Sequence, residues 1–281
     1  MVAQVCHCME CKKGLAWNMR VEIHKDVSEL GKALACKIVE QMLAAQSERR
    51  RYLLGCPGGR SPKPVYAELA TMAINFDLDL SNVTLVMMDD YLEGNAPPFR
   101  YVDINAHYSC RRFAIFEIAA VLNRGKPPAK QIQPENIWYP DPENCEFYDE
   151  RIADAGGIDL FILASGATDG HIAFNPPGSP RCCKSRIVRL AQQTRSDNLK
   201  TFPDFTSLSE VPKFGVTIGV GSIAKHSKSA AMVVFGADKK LAFQEISQAS
   251  VYSPDWPASI ITECSDAILY ADVVASDRSL K

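Results

Sequence analysis

Residues 158–180, "IDLFILASGATDGHIAFNPPGSP", join a nearly continuous apolar run to a loop holding Asp169, His171, three glycines and three prolines. An apolar run of this length, bounded by Gly and Pro, suits a strand covered on both faces, which is the condition of strands in a parallel sheet. Similar runs recur along the chain as "RVEIH", "YLLG", "NVTLVMM", "FGVTIGV", "AAMVVFG" and "AILYA". Helical patterns lie between them. From Val27 to Ala45, Leu30, Leu34, Ile38 and Met42 recur every four residues and make one apolar stripe. "KPVYAELATMAI" reads as a second helix. Strands alternating with helices predict an α/β fold: one domain with a mainly parallel, Rossmann-like sheet and helices on both faces.

The boundaries of that domain follow from composition. The chain has 281 residues, 47% hydrophobic and 23% charged, which excludes disordered and collagen-like classes. Ten cysteines are scattered without a framework, as suits a reducing compartment. Cys6, His7, Cys8 and Cys11 crowd into six residues with no second ligand pair at finger spacing, so residues 1–18 read as a flexible, Cys-containing leader and 19–281 as the folded domain. The Pro-rich stretches 126–142 and 251–257 read as surface connections. A formal charge of −2 without charged blocks gives no bulk attraction for nucleic acid or an anionic membrane. No apolar stretch approaches the ~20 residues of a membrane span, and no signal-peptide core is apparent. The expected setting is the cytoplasm, and the expected partner is a small molecule.

In a parallel sheet the ligand sits at the carboxyl ends of the strands, so the chemistry should lie in the loops that follow them. "GCPGGRSPKPVY" (55–66) ends a strand and starts a helix. Gly58 and Gly59 permit close backbone approach, Ser61 offers a hydroxyl or a helix cap, and the helix N-terminus presents free N–H groups to an anion such as phosphate. A plain capped turn explains the same residues. Asp89-Asp90-Tyr91 follows "NVTLVMM" in an acidic loop: paired carboxylates supply a general base, or are simply solvated.

The third loop makes the pattern specific. "DGHIAFNPPGS" resembles the D-G-H-I-A-F-N-E-P-G-S segment of the glucosamine-6-phosphate deaminase (isomerase) family, kin of the 6-phosphogluconolactonases. "GCPGGRSP", "VMMDDYL", "VPKFGVTIGVGSI" and "VFGADKKLAF" resemble further family segments in the same order, so the likeness runs from Met19 nearly to the end. The resemblance implies an aldose–ketose isomerase that deaminates a 2-amino-2-deoxyhexose 6-phosphate, foremost glucosamine 6-phosphate. It yields a ketose 6-phosphate and ammonia, with water consumed, which places it formally among hydrolases. It implies Asp89 as the base between C1 and C2, and His171 with Asp169 as the ring-opening pair. Gly58, Gly59, Arg60, Ser61, Asp90, Lys200 and Lys239 are implied to bind the substrate and its phosphate. Neither metal nor organic cofactor is expected, and homo-oligomerisation is left open.

The departures are as informative as the matches. Pro176 stands where the family has a glutamate that orients the histidine, and Ser165 and Ala167 stand where it has glycines. With that carboxylate gone, the imidazole is expected to be held by Asp169 or by a backbone carbonyl. Arg186 matches one of the family's regulatory basic pair and Val188 does not match the other, so allostery of that type is expected to be weak or absent. His107 and Tyr108 fall near the family's lid; His24 and His226 read as surface residues, and Trp256 as a packing aromatic. Two alternatives stand: a lactonase of the 6-phosphogluconolactonase type, suggested by "GGRSP", and a sugar-phosphate-binding protein with weakened catalysis, suggested by Pro176.

Overall fold

A computed structural model describes residues 19–277; the expected leader, 1–18, lies outside the described residues. The chain runs β1 (Arg20–His24), α1 (Val27–Ser47), β2 (Tyr52–Cys56), α2 (Lys63–Asn75), β3 (Val83–Met87), β4 (Asp89–Glu93) and β5 (Arg100–Tyr101). A helix follows as α3 (Cys110–Phe113), a π turn (Ala114–Ala119) and α4 (Ala120–Leu122), then β6 (Ile137–Trp138), α5 (Cys145–Asp154) and β7 (Leu160–Ala164). The remainder is β8 (Arg186–Arg189), α6 (Gln192–Thr201), β9 (Phe214–Thr217), α7 (Val220–His226), β10 (Ala230–Val234), α8 (Lys240–Gln248), β11 (Ala267–Asp272) and α9 (Val273–Ser276).

Seven strands form a parallel sheet in the order β1-β11-β10-β7-β2-β3-β6. Successive side chains on a strand point to opposite faces. On β10, Ala231 and Val233 enter one core with α1 and α2, whereas Ala230, Met232 and Val234 enter the other with α5, α7 and α8. Helices therefore cover both faces, as expected. The predicted stripe of α1 is fully internal: Leu30, Leu34, Ile38 and Met42 are all buried. Gly55 on β2 is required by this packing, because a β-carbon there would lie 2.1 Å from the Phe161 ring of β7.

Two expectations need correction. "FGVTIGV" is not a strand of the parallel sheet: its β9 pairs antiparallel with β4 and β8, and β4 with β5, as a second, four-stranded sheet. The stretch 126–142 is not all surface connection, since β6 within it adds the edge strand beside β3. No helix among the described residues is long and apolar enough to cross a membrane.

Candidate active site

Chain direction reverses between β2 and β7: from β2 the chain steps outward to β3 and β6, and from β7 the other way to β10 and β11. The crevice beyond the carboxyl ends at such a point is where an open α/β sheet takes its ligand. The neighbours β10, β7, β2 and β3 deliver to it, in that order, Lys239, Asp169 with His171, the loop 57–62, and Asp89. Strands lie about 4.8 Å apart, so these loops share one small area.

His171 is held by the residue two before it. Asp169 Oδ1 lies 2.7 Å from His171 Nδ1 and accepts from the His171 backbone N–H at 3.2 Å. Burial pushes the Asp169 carboxyl up, but the hydrogen bond and charge of His171 outweigh it and hold the carboxyl below its usual range. No hydrogen-bond partner among the described residues meets Nε2. Pro176 thus leaves the ring held, because Asp169 already fixes its angle. Pro176 serves the turn instead, its carbonyl accepting from the N–H and Oγ of Ser179.

Two glycines make this arrangement possible. A β-carbon on Gly166 would lie 2.3 Å from both Asp169 Oδ1 and His171 Nδ1. Gly170 has φ +63°, which disfavours a side chain, and lies against the Trp256 indole at a distance that admits no β-carbon. Trp256 is the packing aromatic expected, set against the core on that face.

Asp89 and Asp90 face opposite ways on β4 and do different things. Asp89, 7% exposed, accepts from the Cys110 thiol at Oδ1 (3.3 Å), and no donor among the described residues reaches Oδ2. Burial pushes its carboxyl up to about 7; the adjacent Asp90 adds to the rise, while the Cys110 thiol and the charge of His171 oppose it. Asp90 is fully buried and its oxygens are occupied by Tyr91 N, Cys110 N, Ser109 Oγ, and the N and Nε of Arg111. It secures the start of α3. Its acceptors are spent on the chain, unlike those of Asp89.

The loop 57–62 is anchored by the Tyr66 hydroxyl, which donates to the Pro57 carbonyl at 2.9 Å. Gly59 has φ +85°, and a β-carbon there would meet nothing within 4 Å, so the backbone faces open space. Ser61 is not the helix cap. That position is Pro62, without a side-chain bond; the Lys63 N–H at the start of α2 donates to the Arg60 carbonyl at 3.3 Å and Pro64 has no N–H, so the Arg60 side chain and the Ser61 hydroxyl, rather than the helix start, are what this loop offers an anion. Arg60 is exposed and lines a cavity of about 270 Å³ with Gly58, Gly59, Cys110, Tyr108 and Phe202. Lys239 Nζ donates to the Ser165 carbonyl at 2.5 Å. Burial lowers its amine; Asp238, Asp197 and Asp169 oppose this, and the charge of Arg60 adds to it. Lys200 is the exception: it is exposed on α6, outside the cavity lining, although Thr201–Asp204 just after it contribute to that lining.

The sequence reading passed over Cys110 and Gly166, whose roles come from tertiary approach. His107 is a cavity residue, with Nδ1 4.0 Å from Asp204 Oδ2. Contrary to expectation, His226 is buried. Among the described residues, no group of three or more His, Cys, Asp and Glu side chains is arranged to hold a metal ion.

Comparison with known proteins identifies the family and the fold. The family model for glucosamine-6-phosphate isomerases/6-phosphogluconolactonase matches residues 25–270. A glucosamine-6-phosphate deaminase of Pseudarthrobacter chlorophenolicus is 32% identical over 267 residues, covering 92% of each chain. A glucosamine-6-phosphate isomerase of Candida albicans is 29% identical, covering 94% of this chain and 100% of that one. Among solved structures, a monomeric glucosamine-6-phosphate deaminase superimposes with a TM-score of 0.74 at 24% identity, over 92% of this chain and 99% of that one. The 6-phosphogluconolactonase of Trypanosoma cruzi gives 0.68 at 15%, over 96% of this chain and 100% of that one.

Proposed function

Because the chain belongs to the family of glucosamine-6-phosphate isomerases and 6-phosphogluconolactonases, we propose that it converts glucosamine 6-phosphate to a ketose 6-phosphate and ammonia. The observation that carries this reading is Asp89, a buried carboxylate lifted to about 7 beside an Asp169-held histidine, at the mouth of a loop suited to phosphate. A lactonase needs a base for water. An aldose–ketose isomerase needs a group that both takes and returns a carbon-bound proton near neutrality, and a carboxyl titrating near 7 does both.

In the proposed sequence His171 Nε2 moves the proton that opens the pyranose ring. Asp89 Oδ2 then takes the proton from C2 and returns it to C1, leaving an iminium at C2. Water adds there, and ammonia leaves as the C2 carbonyl forms. Arg60, Lys239 and Ser61 hold the 6-phosphate. Of the relatives compared, those with the higher identities carry deaminase or isomerase names, and the likeness to the Trypanosoma cruzi lactonase is one of structure, at 15% identity. Ammonia release from glucosamine and galactosamine 6-phosphates, measured beside lactone hydrolysis, tests the proposal. Ammonia from either amino sugar with no lactonase activity supports it; lactone hydrolysis alone, or binding without turnover, rejects it.

A further inference from the structure

Cys110 is absent from every motif that carries the family resemblance, yet it sits against the reacting carboxylate. It is the first residue of α3, 7% exposed, and its backbone N–H is fixed by Asp90 Oδ1 at 2.8 Å. That anchor sets the direction of its side chain, and the thiol reaches Asp89 Oδ1 at 3.3 Å. Cys110 also lines the cavity and lies 3.9 Å from the position a β-carbon would take on Gly58. We propose that Cys110 is a positioning residue for Asp89: its thiol occupies Oδ1 and turns Oδ2, the free oxygen, toward the C1–C2 edge of the substrate. The inference rests on the deaminase reading only for the identity of that edge.

The other charged groups facing Asp89 are few. Asp90 adjoins it on β4 and is countered by Arg111 of α3, and His171 approaches from the loop after β7. None of these donates a hydrogen bond to Asp89, so Cys110 is the single fixed donor among the described residues. A donor to a carboxylate favours its charged form. Removing the thiol therefore keeps Asp89 protonated to higher pH, and the acid limb of kcat/KM moves upward.

The test compares wild type, Cys110→Ala and Cys110→Ser in ammonia release across pH 5.5–9, with the Asp89 carboxyl titrated by carbon NMR in the unliganded protein. For Cys110→Ala the expected result is kcat/KM lowered about 3- to 10-fold below pH 7 and less above pH 8, since a thiol is a weak donor and one pKa unit is tenfold. KM should stay near wild type. Cys110→Ser should restore the profile, because a hydroxyl donates from the same place. A Cys110→Ala profile and Asp89 midpoint equal to wild type overturn the inference. Should the wild type release no ammonia, the functional reading fails by itself, and the NMR midpoint still decides the role of Cys110. If Cys110→Ala does not fold, the Cys110→Ser titration decides: a midpoint above wild type by more than one unit rejects a hydrogen-bond role.

Discussion

The seven-stranded and four-stranded sheets share a boundary at Met88, where the chain leaves β3 and enters β4, and they divide the labour of the molecule. The inner strands of the parallel sheet carry side chains buried on both faces, and the sheet presents its loops at one edge. The antiparallel sheet has short strands with mixed exposure: β8 is Arg-Ile-Val-Arg and β4 opens with two aspartates. One supplies a rigid frame. The other turns Asp89 to the frame's edge and buries it enough to change its chemistry. The contact is direct, with Ile218 N–H donating to the Met88 carbonyl at 2.7 Å and Phe174 N–H to Thr217 Oγ1 at 3.2 Å. A site at a junction depends on both sides, and each side can be broken separately.

The largest effect should come from the frame's contribution to proton transfer. His171→Ala is expected to lower kcat for cyclic glucosamine 6-phosphate about 100- to 10,000-fold, the usual worth of a general acid–base group. Steady-state ammonia release measures it, and a change below tenfold would remove His171 from ring opening. Next is the phosphate contact. Lys239→Ala should raise KM for sugar phosphates roughly 10- to 150-fold, since a charge-assisted bond contributes about 1.5–3 kcal/mol, with no matching effect on glucosamine itself. Equal affinities of variant and wild type for the phosphorylated sugar would reassign the lysine.

Gly166→Ala should have a mixed effect. Its methyl group would displace the Asp169–His171 pair, and overpacking costs about 1–3 kcal/mol. A lowered melting temperature with kcat reduced at unchanged KM is expected, read by calorimetry and kinetics together; a fully active variant would show that the pair tolerates displacement. The smallest effect belongs to Pro176→Glu. Asp169 already occupies His171 Nδ1, so kcat should change by less than about threefold, under 1 kcal/mol. A large gain would mean that Asp169 holds the ring poorly in solution.

The two sheets also differ in how far the sequence reveals them. Strands such as "IDLFILA" and "AAMVVFG" are legible because burial on both faces demands continuous apolar runs. β4 reads as an acidic loop, because its burial comes from α3 and β9, distant in the chain. "FGVTIGV" is legible as a strand but not as a member of the second sheet, since local preference does not encode the partner. Within the site, Asp169 and His171 are legible as a pair because they lie two residues apart on one turn. The split between Asp89 and Asp90 is hidden. The alternation of a strand leaves one with a free oxygen beside the Cys110 thiol and commits the other to the backbone at the start of α3, and only the folded neighbours show which. Lys200 shows the converse, a cation implied by the resemblance outside any quoted motif, which the fold leaves exposed on α6.

The central claim is that Asp89, at the seam between the sheets, carries a proton between two substrate carbons. Conversion of glucosamine 6-phosphate in heavy water tests it most directly, with the ketose 6-phosphate product analysed by NMR. The account predicts protium carried from C2 to C1 of the product, with deuterium entering C1 to the extent that the Asp89 carboxyl proton exchanges with solvent before it is returned. It also predicts a rate that falls as the pH drops below about 7, where Asp89 becomes protonated, and loss of both product and label in Asp89→Asn. Turnover that persists in Asp89→Asn with deuterium still entering C1 would contradict it.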